Sequence, residues 1–242
     1  MAGNWPVSLT NAAPVLCSRS EEKLHALAGE LSQAIVRPGD ATSPPSVDAV
    51  LQAAEEKFGR IDGVAHCVGS LLLKPAHLTL DAEWSSVIAT NLTSAFHVLR
   101  AAVRAMTKTK SGSIVLVSSA AAQHGLANHE AIAAAKAGII GLARSAAATY
   151  ARQGIRVNCV SPGLTRTPLT AALTSSPASL SASTAMHALG RIGRPSDVAS
   201  AIAWLLDPAQ SWVTAQVIAV DGGLSSIQPR PGNPAQPQPI HE

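Results

Sequence analysis

Gly112-Ser113-Ile114-Val115-Leu116-Val117-Ser118-Ser119, then Ile132-Ala133-Ala134-Ala135-Lys136-Ala137-Gly138, then Ile155-Arg156-Val157-Asn158-Cys159-Val160-Ser161-Pro162-Gly163, forms the most strongly patterned part of the chain. Its outer pieces are β-branched, largely apolar segments that close on Ser-Ser and Pro-Gly, as strands of a covered parallel sheet do. They predict strands over Ser113 to Val117 and Arg156 to Val160, and the Ala-rich piece between them predicts a helix from His129 to Arg152. A helical crossover is the connection that two parallel strands need.

The alternation continues outward from there. Toward the C-terminus it predicts a helix from Ser196 to Leu206 and a strand from Gln216 to Val220. Toward the N-terminus it predicts a strand over Pro14 to Cys17, and then Ser20 as an N-cap with Glu21 and Glu22 in the first turn of a helix running to about Leu31. A strand over Ala34 to Val36, a helix capped by Ser46 and closed after Phe58 by Gly59, a strand over Gly63 to Cys67 and a helix from Asp81 to Met106 complete the series. The expected architecture is α/β, a doubly wound and mainly parallel sheet in a single domain over residues 14–227. Residues 228–242 carry Pro229, Pro231, Pro234, Pro237 and Pro239 among Gln and Gly, the composition of a disordered tail.

Composition bounds the function classes. A chain of 242 residues with 47% hydrophobic and 14% charged residues buries one sizeable core. Its 18 Lys and Arg form no basic run and aromatics are 3%, so no nucleic-acid partner is expected. Cys17, Cys67 and Cys159 are odd in number and each lies in an apolar run, which reads as reduced core thiols with no metal site. That points to the cytoplasm or another reducing, soluble compartment. No apolar run approaches the roughly 18 residues of a membrane span, and no membrane partner is expected.

In order and spacing the quoted pieces resemble the short-chain dehydrogenase/reductase family, and the resemblance covers roughly Pro14 to Leu224. It implies a Rossmann-like fold, an NADP or NAD cofactor, hydride transfer on a small carbonyl or alcohol substrate, and a homo-oligomer formed through the helices Asn91 to Met106 and His129 to Arg152. Carried over residue by residue, it makes Ser119 the group that hydrogen-bonds the substrate carbonyl and Asn91 the helix residue that helps hold a proton-relay water. Lys136 becomes the residue that binds the nicotinamide ribose. Pro162, Gly163 and Thr167 resemble the turn beside the carboxamide, and Asp40 with Ala41 the pair that brackets the adenine. Gly69 resembles the glycine of the adenine wall, and Arg19 a residue that favours a 2'-phosphate. Leu169 to Leu189 aligns with the substrate lid. Read without the resemblance, Asn91 is equally a polar residue satisfied inside a helix, and Lys136 a solvated residue on an Ala-rich one.

Two departures bear on activity. The family's tyrosine, thirteen residues after the serine, is here Ile132. Isoleucine has no proton to give to a developing alkoxide, and general acid-base assistance is worth about 10² to 10⁴ in rate. His129, Glu130, His124 and His66 are the candidates that could replace it. Secondly, Gly3 is the sole glycine before Ala13, so residues 1–13 hold no Gly-rich turn for a pyrophosphate and the first β-α unit is missing or replaced. Trp5 to Leu9 could supply a reversed strand. The expected function is therefore an impaired oxidoreductase of this family or a non-catalytic ligand-binding or assembly subunit, with a cofactor-free lyase or isomerase using Ser119 and Lys136 as a third class.

Overall fold

The computed structural model describes residues 12–31 and 33–228. In chain order these form β1 (Val15–Leu16), α1 (Glu21–Ala28), β2 (Ile35–Val36), α2 (Pro44–Phe58), β3 (Gly63–His66), α3 (Asp81–Ile88), α4 (Ser94–Thr109), β4 (Gly112–Val117), α5 (Glu130–Tyr150), β5 (Ile155–Pro162), α6 (Pro177–Met186), α7 (Pro195–Leu206) and β6 (Val217–Val220). Every strand pairing among them is parallel. The expected doubly wound α/β architecture is present.

Alternation along the central strands explains why apolar residues occupy both faces of them. Ile114 and Leu116 of β4, with Val157 and Cys159 of β5, face one way and pack on Ala102 and Met106 of α4 and Ile139 and Ala143 of α5. Val115 and Val160 face the other way and pack on Leu205 of α7. Successive side chains leave a strand on opposite faces, so a sheet covered on both sides buries every residue of its inner strands.

Several boundaries shift for local reasons. The helix expected from Ser46 begins at Pro44, with Ser43 as N-cap and prolines in its first turn, where their fixed φ and missing N–H carry no penalty. The Ser46 hydroxyl instead accepts from the Asp40 N–H at 2.9 Å. Helix α1 stops at Ala28, short of Leu31. The single helix expected over Asp81 to Met106 contains a π turn at Ala89–Thr93, closed by a bond from the Ser94 N–H to the Ala89 carbonyl, and continues to Thr109. Segment Glu130–Gln153 is long and apolar enough by composition to cross a membrane, contrary to the reading from uninterrupted runs; Ile139, Ala143, Ala146 and Ala147 bury its inner face against the sheet.

The sheet is divided. β1 pairs with β2, β3 to β6 form a separate four-stranded set in the order β3-β4-β5-β6, and no described strand lies between β1 and β3. Gly63 and Ala65 on β3 are exposed in consequence, as an inner strand's residues would not be. The expectation of three core thiols is corrected here: Cys17 and Cys67, which directly follow the two edge strands, are exposed, and only Cys159 is buried. The possible strand Trp5 to Leu9 and the Pro-rich residues 229–242 lie outside the described residues.

Candidate active site

The residues that the sequence singles out gather at the carboxyl ends of the parallel strands, where open α/β sheets bind ligands. Arg19 follows β1, Asp40 follows β2, Gly69 follows β3, Ser119 follows β4, and Pro162 closes β5.

Asn91 and Lys136 meet around Gly69. The π turn widens the helix at Asn91 and turns it fully inward, a role such single wide turns often take at functional sites. Its Nδ2 donates to the Ser70 hydroxyl at 3.0 Å and the Val87 carbonyl at 2.9 Å, while its Oδ1 accepts from the Ser70 N–H at 3.2 Å. Lys136, buried on α5, donates from Nζ to the Val117 carbonyl at 2.9 Å. Burial pushes its pKa down to about 8. A Cβ on Gly69 would lie 2.9 Å from Asn91 Oδ1 and 3.3 Å from Lys136 Nζ, so glycine is what lets these two side chains close on the strand end. Ser70 and Ser118 were not legible as site residues. Ser118 lies in a Ser-Ser pair that reads as turn chemistry, yet its hydroxyl donates to the Lys136 carbonyl at 2.9 Å and ties β4 to α5.

Ser119 caps a short 3-10 turn, Ala120–Ala122, with its Oγ accepting from the Ala121 N–H at 3.2 Å and its own proton left to give. Ile132 is one helical turn before Lys136 and is buried in an apolar cluster with Val87, Ala131 and Ala135, against Leu72, Ile88 and Leu92. The chain's single tyrosine, Tyr150, is at the far end of the same helix and packs on the main core.

The four candidate replacement acids stand in different surroundings. His66 is buried and hydrogen-bonded to the Ser94 hydroxyl at 3.0 Å, and burial together with the Lys136 charge brings its pKa down to about 4. It is neutral at physiological pH and has no imidazolium proton to donate. His129 stands at the N-cap of α5 and its Nδ1 donates to the Ala127 carbonyl at 2.7 Å. Glu130 and His124 are exposed.

Toward the outer end, Asp40 Oδ1 accepts from the Thr42 N–H and hydroxyl, each at 2.8 Å. Those two bonds hold its carboxyl below the ordinary carboxylate range, with the nearby Arg19 charge adding to the effect. At the other end, the Gly163 N–H bonds the Val220 carbonyl at 3.1 Å, and Thr167 caps the lid's first turn, pairing its hydroxyl with Thr170 at 3.0 Å. The segment expected to align with the lid is partly helical, a 3-10 turn at Pro168–Thr174 followed by α6. A cavity of about 630 Å³ beside it shares Gly163 with the candidate residues and is otherwise lined by His187, Arg191, Asp197 and Asp221 among others.

The family described as Enoyl-(Acyl carrier protein) reductase matches residues 10–225. The chain is 36% identical to the 3-oxoacyl-(acyl-carrier-protein) reductase FabG of Vibrio cholerae over 192 residues, which is 78% of this chain and 76% of that one. This chain belongs to the short-chain dehydrogenase/reductase family. It is also 42% identical over 190 residues to the cis-4-hydroxycyclohexanecarboxylate dehydrogenase of Sinomonas cyclohexanicum, covering 78% of this chain and 75% of the relative. Among solved short-chain dehydrogenase/reductase structures, an actinorhodin polyketide ketoreductase with NADPH superposes with a TM-score of 0.86 at 30% identity, covering 91% of each chain. A gluconate 5-dehydrogenase of Burkholderia cenocepacia in complex with NADP and tartrate superposes with a TM-score of 0.84 at 27% identity, over 90% of this chain and 87% of that one. The relatives of this short-chain dehydrogenase/reductase are thus oxidoreductases, and these two neighbours hold NADPH or NADP.

Proposed function

We propose that this chain is an oxidoreductase of carbonyl or alcohol substrates by descent whose hydride-transfer site has lost its general acid. The observation that carries this reading is Ile132, sealed into an apolar cluster one turn before Lys136 while the Asn91–Ser70–Gly69–Lys136 arrangement is intact. Lys136, whose buried ammonium faces the strand ends, and the Pro162–Gly163 turn fit the nicotinamide half of NADP or NAD; Arg19, Asp40 and Gly69 fit the adenosine half. Among the described residues no Gly-rich turn offers backbone N–H groups to the pyrophosphate. When bound, the cofactor supplies or takes the hydride. Ser119 has a hydroxyl proton to orient a carbonyl oxygen, Asn91 and Ser70 keep a polar path to the site, and nothing at Ile132 completes proton transfer. Three free cysteines support a cytoplasmic or other reducing compartment.

A second reading, a non-catalytic subunit of an assembly, is favoured by the outer face of α5, where Gly141, Ser145 and Ala148 are exposed and small enough to admit a close helix. Saturable binding of NADPH or NADH, however weak, favours the oxidoreductase reading, and its absence at any accessible concentration favours the assembly subunit. Cofactor affinity is expected to be weaker than about millimolar. Ile132→Tyr alone should remain nearly inactive toward small ketones, and the same change behind a grafted strand, Gly-rich turn and helix should gain activity that Lys136→Ala removes. NADPH oxidation by the unmodified chain that depends on Lys136 would overturn the proposal.

A further inference from the structure

The lid is attached to the body of the protein in an unusual way. No side chain of the 3-10 turn Pro168–Thr174 or of α6 is buried, so neither piece is held by packing into a core. A segment with so little buried apolar surface is among the first to open locally. Its start is tied by Thr167 and Thr170, whose hydroxyl also reaches the Thr165 carbonyl at 2.5 Å. At its end stands His187, which is 4% exposed and is the first deeply buried residue after α6.

The contacts of the imidazole define its proton. The Ser183 carbonyl, 2.7 Å from Nδ1, can only accept, so Nδ1 carries the hydrogen. The Leu164 N–H, 3.2 Å from Nε2, can only donate, so Nε2 offers its lone pair. The neutral Nδ1-protonated ring is the one form that satisfies both bonds. The ring also lies close to two backbone turns. A Cβ on Gly163 would be 2.8 Å from Nε2, and a Cβ on Gly222 would be 3.5 Å from the His187 Cβ. Glycine at 163 is thereby explained by the approach of His187 and of Asp221, whose Cα would be 2.9 Å away.

We propose that His187, near the end of the lid segment Leu169 to Leu189, is a positioning residue that latches that segment's helical pieces, Pro168–Thr174 and α6, to the turn at the end of β5, through one bond back to α6 and one bond across to Leu164. The latch couples the lid to the Pro162–Gly163 turn, so anything that settles against that turn also sets the lid, and the coupling does not depend on whether the site turns over. Three variants separate its two bonds. His187→Asn keeps a group at the Nδ1 position for Ser183 and loses the reach to Leu164. His187→Gln reaches the Nε2 position and can accept from Leu164. His187→Phe keeps the bulk and loses both bonds.

Amide hydrogen exchange on the full chain reads the outcome residue by residue. In the Asn and Phe variants the Leu164 amide and the amides of α6 should exchange about tenfold faster or more, with β4 and β5 unchanged, and the Gln variant should restore Leu164. Leu164 and α6 protection within twofold of the parent in both Asn and Phe variants would overturn the proposal. So would a loss of protection that spreads through β4 and β5, which would make His187 an ordinary core residue.

Discussion

At the scale of single residues, the site is a set of close approaches that tolerate little change. Gly69 is one of them: a methyl group there would press on Asn91 Oδ1 at 2.9 Å and on Lys136 Nζ at 3.3 Å. Gly69→Ala should therefore displace Asn91 from Ser70 and cost about 1–3 kcal/mol, the usual range for overpacking. A denaturation midpoint unchanged in the variant would show that the cluster yields without cost. His66 offers a second test. Its pKa is about 4 in the fold against an ordinary 6.5, so between those values the unfolded chain holds a proton that the native state refuses. Stability then rises with pH across this window and is lost as pH falls through it. The parent should lose stability relative to His66→Gln between pH 6.5 and 4, and parallel curves for the two would refute the assignment. Ile132→Tyr carries its own cost. A phenol inserted against Val87, Ala131 and Ala135 overpacks a buried cluster by about 1–3 kcal/mol, so its activity has to be compared on the folded protein.

At the scale of elements, the division between β1–β2 and β3–β6 decides which side chains meet solvent. Cys17 and Cys67 end edge strands and are exposed, although the atoms around their sulfurs raise both thiol pKa values, by desolvation first in each case. Cys159, inside β5, is fully buried and its pKa is pushed up to about 12. An aromatic disulfide reagent at mildly alkaline pH should label two thiols in the native protein, slowly, and the third only after unfolding. Rapid labelling of all three, or of one, would contradict the exposed edges. The π turn is the other element-level device. One extra residue in the turn Ala89–Thr93 lets Asn91 point inward while α3 and α4 continue on either side, and no hydrophobic pattern announces it.

For the whole molecule, the outer faces of α4 and α5 are where a second copy is expected. Phe96 on α4 is 44% exposed, with the Arg100 guanidinium 5.4 Å from its ring centre, and α5 presents Gly141 with open space where a side chain would be. Static light scattering at micromolar concentration should give a dimer or larger species, and Gly141→Trp should shift it toward monomer while leaving the circular dichroism spectrum unchanged. A monomer for the parent chain would count against the family's helix-pair association here.

The sequence by itself determined the strand and helix order, because apolar runs of strand length and Ala-rich helices with polar caps are local patterns with few competing readings. With the family resemblance it also placed Ile132 where a proton donor is expected, thirteen residues after Ser119 and four before Lys136. Tertiary structure decided the rest. Asn91 meets Ser70 and Gly69, some twenty residues away in sequence, through a π turn that periodicity cannot reveal. Lys136 read alone as a solvated lysine; burial against Val117 makes it a desolvated one. Cys17 and Cys67 read as core thiols because apolar neighbours imply burial only where the sheet is continuous, and continuity is a property of strand pairing that no local run contains.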